Sequence, residues 1–453
     1  MGSPKSFQTP TGTRDWYPAD ANRRRFLTEA WRSASLRHAF EEIDGPTFET
    51  LDLYTVKSGE GIVSELFSFQ RFGGEKTYAL RPEFTPTLAR LYAAKASSLP
   101  KPTRWFTLGP MFRAERPQRG RLREFLQWNC DVLGDPSPQA DADIIAVCIG
   151  LLEQLGLTPA DVRVKLSNRN LVRDIALSCG LPDDKADAWF AYLDGEAKRS
   201  AGENEAFLVH RGVSLLVRDR WMQLLESVRN MGSDADQFNV ERFGMKLETI
   251  EQHRDLLVRL RSMGLLPWCD MLDMTIVRGL AYYTGMVFEV HEASGGERAL
   301  AGGGRYDKLI ELFGGPPTPA VGFGMGDVVL SLVLQDRGLM PSDADLADRA
   351  GMRPDAFVIS NGTPEADAVL PAVVAALRKA APGLPGLHAR RSAKETRNIG
   401  KLLQEATKLN ARFAIILESG SSCTVKDLTS GRQELMDIAN VVVRLRQFLN
   451  RAP

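Results

Sequence analysis

The segment from Phe112 to Leu133 places five arginines, Arg113, Arg116, Arg119, Arg121 and Arg123, directly ahead of a run whose residues alternate in polarity. Strand side chains point to opposite faces with a period of two, so Leu126, Trp128, Cys130 and Val132 share one face and Gln127, Asn129 and Asp131 the other. A strand with an amide-and-carboxylate face either edges a sheet in water or lines a polar pocket. The arginines favour a pocket for anions, because planar guanidinium forks suit carboxylate and phosphate oxygens. Arg104–Phe112 and Arg123–Leu133 read as an antiparallel pair holding the loop 113–122 between them.

With 453 residues, 43% of them hydrophobic and 25% charged, the chain has ordinary globular composition and room for about three domains of ~150 residues. No apolar run approaches the ~18 residues needed to span a bilayer, so no membrane partner is expected. No apolar signal segment precedes Thr9-Pro10-Thr11-Gly12, which makes the cytoplasm the expected compartment. Five scattered cysteines without a CxxC pair, and five histidines without HExxH, predict neither a protein-held metal nor a disulfide framework. A net charge of zero speaks against non-specific adhesion to nucleic acid but permits a local basic surface.

Apolar periodicity predicts a helix over 21–41 and, after the strand Tyr78-Ala79-Leu80, a helix capped by Thr85 with Pro86 at its first position, placing Glu83 at the junction. Strand signals return at Met286–His291 and Leu300–Gly304, and Ala320–Gln335 passes from glycines into an apolar helix. The expected organisation is a core in two parts, 1–164 and 261–335, interrupted by a helical insertion at 165–260, then a linker at 336–354 and a small mixed α/β domain at 355–453. Within that last domain, seven basic residues between Arg390 and Arg412 face only Glu395 and Glu405, which is either a solvated helix face or a nucleic-acid footprint.

Neither glycine-rich phosphate motif is present: Gly400-Lys401 is followed by Leu402, and Gly322-Phe323-Gly324-Met325-Gly326 is not a GxGxxG fingerprint. A nucleotide must therefore be held by side chains. Two further blocks could contribute, Val277-Arg278-Gly279-Leu280-Ala281-Tyr282-Tyr283-Thr284-Gly285 and Ala301-Gly302-Gly303-Gly304-Arg305-Tyr306-Asp307. Paired tyrosines beside an arginine offer stacking and hydroxyl donors, and consecutive glycines permit close approach to a ligand.

In this order the blocks resemble those of the histidyl-tRNA synthetases, a family of class II aminoacyl-tRNA synthetases. The resemblance runs from Gly12-Thr13-Arg14-Asp15 through Pro46, Arg81-Pro82-Glu83, residues 112–134, the two blocks just quoted and residues 320–330 to the final domain. It implies an α+β fold: a class II antiparallel sheet with helices, a helical insertion and a C-terminal mixed α/β anticodon-binding domain. It also implies a histidine–tRNA ligase acting as a homodimer on L-histidine, ATP with Mg²⁺, and tRNA(His). Carried over residue by residue, Glu83 would hold the histidine ammonium, Gln127 and Asp131 would read the imidazole, and Tyr282 and Tyr283 would line the pocket. Arg113 would grip the α-phosphate and the histidine carboxylate, Arg278 the facing side of the reacting phosphorus, Arg121 the outer phosphates, and Gln118 the tRNA acceptor end. Against the family pattern, Asp131 stands for glutamate, Ala281 for aspartate, and Val328-Val329 for Glu-Arg. Arg121, Arg305 and Lys308 are the candidates to replace the arginine missing at Val329. A non-catalytic histidine-sensing paralogue, like the regulatory subunit of ATP phosphoribosyltransferase, is the alternative; that relative typically lacks the last domain.

Overall fold

The alternating run becomes an interior strand. In the computed structural model, which describes residues 7–58, 60–196, 199–229, 247–277, 282–380, 385–394 and 396–449, the strands up to residue 326 are β1 (Glu41–Glu42), β2 (Phe48–Thr50), β3 (Ser68–Gln70), β4 (Thr77–Leu80), β5 (Thr103–Phe112), β6 (Glu124–Leu133), β7 (Val162–Asn168), β8 (Cys269–Asp270), β9 (Met286–Glu292), β10 (Ala301–Arg305) and β11 (Ala320–Gly326). Eight of them form one sheet in the order β1-β5-β6-β11-β10-β9-β7-β8, and β2-β4-β3 form a small second sheet. The large sheet is mixed: β1–β5 and β7–β8 pair in parallel, the other neighbours antiparallel.

Because β6 lies between β5 and β11, the water-edge alternative falls away, and both faces of the strand are covered. Its apolar face packs on helix Pro18–Arg37: the Trp31 and Trp128 rings stack with centroids 6.3 Å apart, and Trp128 Nε1 donates to Ser35 Oγ at 2.9 Å. Its polar face opens into a cavity. β11 contains three glycines, a composition poor in strand propensity that the sequence reading assigned only as a glycine stretch before a helix. The pairing explains it, since Gly322 lies opposite Asp131 and Gly324 opposite Asn129. A Cβ on Gly322 would fall 1.9 Å from Asp131 Oδ1, and one on Gly324 2.6 Å from Gln127 Nε2.

Several boundaries differ from the sequence expectation. The first helix is Pro18–Arg37 rather than 21–41, because Ala39 turns the chain with φ of 59°. Thr85 is the first helical residue of Thr85–Lys95 rather than its cap. The stretch 336–354 contains helix Asp343–Arg349, whose start Ser342 caps by accepting from the Asp345 amide at 3.2 Å. Strand β7 runs across position 164, and β8 pairs with it beyond the helices that intervene. Those helices have a core of their own, in which Trp189 packs edge-on against Trp221 at 5.4 Å and which reaches Val277.

Two compact units are present: Met1–Asp15 with Leu27–Met340, and Trp16–Phe26 with Pro341–Pro453. The second unit contains a five-stranded sheet in the order β13-β12-β14-β15-β16, formed by β12 (Ala356–Ser360), β13 (Ala389–Arg391), β14 (Phe413–Leu417), β15 (Ser422–Asp427) and β16 (Gln433–Asp437). Helices Pro364–Arg378 and Val441–Leu449 bury Val373, Leu377 and Leu445 with one set of its side chains, and helix Ile399–Lys408 buries Leu402 and Ala406 with the other. Helix Ile399–Lys408 is capped by the Asn398 side chain, which accepts from the Lys401 amide; Glu395 is outside the described residues.

Candidate active site

The polar face of β6 forms the floor of a cavity of about 90 Å³. Gln127, Asn129 and Asp131 rise from it; Glu83 and Arg113 stand to one side, with Tyr282, Tyr283 and Tyr306 as further wall. All six described residues assigned to histidine or the α-phosphate therefore line one space. Arg278 and Ala281 lie outside the described residues. Arg121 and Gln118 do not line this cavity; they sit at the tip of the arginine loop, where the Gln118 and Arg121 backbones exchange hydrogen bonds at 3.0 and 2.9 Å.

Glu83 is placed by its neighbour Arg81, which is 1% exposed and ties the end of β4 to β5. Arg81 Nε donates to Pro110 O at 2.9 Å, and Nη1 donates to Asp44 Oδ1 at 3.0 Å and Gly45 O at 3.1 Å. Arg113 follows directly on β5. Its Nε donates to Pro82 O at 3.1 Å and its guanidinium lies 5.1 Å over the Phe125 ring. Among the described residues no carboxylate forms an ion pair with Arg113, which keeps its fork available for an anion.

Asp131 is a strongly perturbed carboxyl. Burial pushes its carboxyl up to about 7, and the Tyr306 hydroxyl, donating to Oδ1 at 2.5 Å, opposes that rise. A carboxyl poised near neutrality in a cleft is a mark of a functional group. Gln127 Nε2 donates to Asn129 Oδ1 at 2.9 Å, so the amide pair is fixed before any ligand arrives. Tyr282 and Tyr283 have ring centroids 4.6 Å apart, and Tyr282 meets Tyr306 edge-on at 5.9 Å.

The two blocks after residue 277 are locked together. Thr284 Oγ1 donates to Asp307 Oδ2 at 3.0 Å and accepts from the Asp307 amide at 3.1 Å. Arg169 brackets the first block, donating from Nη1 to Val277 O at 2.9 Å and from its backbone to Gly285 O at 2.9 Å. Arg305, a candidate to replace the missing guanidinium, does something else. It is buried, and holds Asp141 at 2.7 Å and Asp307 at 3.3 Å while donating to the Asp135 and Ser137 carbonyls. That assignment is corrected: alternation along β10 sends Arg305 to the face opposite Gly302, into the helix that carries Asp141. Val329 is 6% exposed on the first turn of helix Asp327–Asp336, whose Asp327 accepts from the Leu126 amide at 2.9 Å and from Arg14 at 2.8 Å.

Sequence reasoning missed Tyr306, Thr85, Gly322 and Gly324 as lining residues, although Tyr306 lay inside a quoted block. Its place in strand order beside Asp131 was the missing information, and no local pattern gives that.

The surface of the second unit sorts the basic run. Arg412 bonds to Asp348 at 2.5 Å and Lys394 to Glu405 at 3.1 Å, whereas Arg390, Arg391, Lys401 and Lys408 are exposed and form no ion pair with a described residue.

The family model described as histidyl-tRNA synthetase matches residues 12–327. The histidine–tRNA ligase of Halorubrum lacusprofundi is 35% identical over 436 residues, covering 94% of this chain and 95% of that one. The ligase of Opitutus terrae is 39% identical over 345 residues, 76% of this chain and 78% of its own length. Among solved structures, the apo histidyl-tRNA synthetase of S. aureus superposes with a TM-score of 0.70 at 22% identity over 97% of this chain and all of its own. A Bacillus halodurans protein described as an ATP phosphoribosyltransferase regulatory subunit/histidyl-tRNA synthetase gives 0.69 at 22% identity over 91% of this chain and 99% of its own. The structural likenesses agree on the fold, and the family match together with the sequence relatives fixes the kinship: this chain belongs to the histidyl-tRNA synthetase family.

Proposed function

We propose that this chain is a histidine–tRNA ligase, which joins histidine to ATP as histidyl-adenylate and then passes the histidyl group to the terminal ribose of tRNA(His). The observation that carries this reading is the cavity in which Glu83, Gln127 and Asp131 meet Arg113. Glu83 supplies an anion for the ammonium, while Gln127 and Asp131 offer fixed polar groups for an imidazole. The tyrosine walls exclude water around the ring.

In the first step a carboxylate oxygen of histidine bonds to the α-phosphorus and the bond to the β-phosphate bridging oxygen breaks, so pyrophosphate leaves with the electron pair. Two anions approach each other, and Arg113 at the cavity wall meets the charge that develops. Arg278 would meet it from the other side. In the second step a ribose hydroxyl attacks the histidyl carbonyl, and AMP leaves. Among the described residues no group of three or more His, Cys, Asp and Glu side chains is arranged to hold a metal. Mg²⁺ would arrive with the ATP and offset phosphate charge as pyrophosphate departs.

Gln118 at the loop tip would meet the acceptor end, and the exposed Arg390, Arg391, Lys401 and Lys408 would form the electrostatic footprint for the anticodon arm. A cytoplasmic homodimer belongs to the same reading. No described helix is long and apolar enough to cross a membrane, and the exposed Phe48 and Phe69 rings of the small sheet offer a face for a second copy. A two-part core, a helical insertion and an anticodon-binding domain from 355 remain the organisation we propose, with β7 carrying the first part of the core past position 164 and helix Asp343–Arg349 within the connection.

The sensor alternative draws on one observation, the buried Val329 where the family pattern places arginine. The ligase reading is supported against it by the folded domain after residue 355 and its exposed basic side chains. Charging of tRNA(His) with labelled histidine by the purified chain tests the choice: accumulation of histidyl-tRNA supports the ligase, and histidine binding without charging supports the sensor.

A further inference from the structure

We propose that Arg298, in the turn between β9 and β10, grips the outer phosphates of ATP in the place that Val329 leaves without a guanidinium. The proposal rests on the ligase reading above and assigns a residue to which that reading gives no role.

Antiparallel register brings three segments to one end of the sheet. Gly326 at the end of β11 pairs with Gln127 near the start of β6, and Ala301 at the start of β10 pairs with Met325. The turn 293–300 and the first turn of helix Asp327–Asp336 thus emerge side by side, and the tip of the arginine loop closes over both. A Cβ on Gly120, whose φ is +75°, would lie 3.3 Å from Val329 Cγ2 and 3.8 Å from Arg298 Cδ. The valine and the arginine stem bear on the same point of the loop.

Neighbouring charges divide unequally at this end. Arg119 takes Glu297, its Nε donating to Oε1 at 2.6 Å, and also reaches Asp336 at 3.4 Å. Arg121 takes Glu115. Arg298 forms no hydrogen bond or ion pair with a described residue, and its side chain is exposed. Burial and the neighbouring charge of Arg121 push its pKa down against the opposing pull of Glu115, so the two guanidiniums lie close enough to repel each other. A polyanion relieves that repulsion. Gly302, at this same end of β10, lines the cavity that holds Arg113, so a ligand whose α-phosphate meets Arg113 extends its remaining phosphates toward Arg121 and Arg298. The rival cations are worse placed: Arg305 is spent on Asp141 and Asp307, and Lys308 lies beyond the opposite end of β10.

Two measurements on the full-length chain with Mg²⁺ test this. The first is equilibrium binding of ATP and of AMP to the parent, Arg298→Ala and Arg298→Lys. We expect Arg298→Ala to weaken ATP binding while leaving AMP binding unchanged, and lysine, which keeps the charge but not the fork, to fall between. The second is histidine-dependent ATP–pyrophosphate exchange, in which Arg298→Ala should lower kcat/KM for ATP by ~10²-fold with KM for histidine unmoved. Val329→Arg added to Arg298→Ala should recover part of the loss. If ATP and AMP binding respond alike, or ATP binding does not change, Arg298 does not hold the outer phosphates. A change confined to KM for tRNA in charging assays overturns the proposal too, since the guanidinium would then serve the nucleic-acid backbone. A parent that binds ATP but exchanges no pyrophosphate refutes the ligase reading alone, and the ATP-against-AMP comparison still decides the role of Arg298.

Discussion

Replacing Tyr306 by phenylalanine tests the poised carboxylate in the most direct way. The parent Asp131 titrates near pH 7 because burial raises its pKa and the Tyr306 hydroxyl, 2.5 Å away, restrains the rise. A hydrogen bond to a charged acceptor contributes ~1.5–3 kcal/mol, which corresponds to ~1–2 units of pKa. In Tyr306→Phe the carboxyl should therefore titrate at ~8–9, and its ionised fraction at pH 7.5 should fall from about three-quarters to between roughly a quarter and a few per cent. If the neutral imidazole of histidine donates to the ionised carboxylate, affinity at pH 7.5 should drop ~3–25-fold. Most of the deficit should vanish by pH 9.5, where both proteins hold Asp131 ionised. Calorimetric titration of histidine between pH 7 and 9.5, expressed as the ratio of variant to parent at each pH, cancels the ligand's own ionisations. A ratio independent of pH would refute the reasoning, because the hydroxyl would then act through packing rather than through the charge of Asp131.

Glu83→Gln and Gln127→Ala should each weaken histidine binding by ~1–3 kcal/mol while a thermal melt shows the fold intact, since each leaves a buried polar group of the ligand unpaired; unchanged affinity would remove that residue from the pocket. Asp131→Asn should stabilise the empty protein more at pH 8 than at pH 4. The folded-state pKa is raised to about 7 from 3.8, so the buried charge destabilises increasingly as pH climbs between those values, and denaturant melts at the two pH values read the difference. Charge reversal at Arg390, Lys401 and Lys408 should depress charging of tRNA and flatten its salt dependence while sparing pyrophosphate exchange, because these exposed side chains lie in a separate compact unit from the cavity. Equal loss of both activities in a folded variant would give this surface another purpose.

What the sequence disclosed depended on whether a pattern was local. The two faces of β6 follow from a period of two, and so the polar row of Gln127, Asn129 and Asp131 was visible at once. Whether that row met water or a cavity was not visible, because the answer depends on β11. There, Gly322 and Gly324 lack side chains because the Asp131 and Gln127 side chains occupy the space, and the glycines erase the usual sign of a strand. Glu83, Arg81 and Arg113 came from family-like blocks, but how they are held did not: Arg81 acts through a carbonyl on β5, and Arg169, outside those blocks, brackets the first of the two later ones through carbonyls of residues 277 and 285. Arg305 was misassigned for a related reason. Proximity in sequence to three glycines suggested a phosphate ligand, whereas strand alternation turns the side chain to the other face.

The central claim is that this cavity selects histidine for activation, and amino-acid-dependent ATP–pyrophosphate exchange on the purified chain, run with each of the standard amino acids and Mg²⁺, tests it most directly. The account predicts exchange with histidine alone, with the histidine concentration needed raised in Gln127→Ala while the protein stays folded. A folded chain that binds ATP but shows no exchange with histidine, or that exchanges equally with another amino acid, would contradict it.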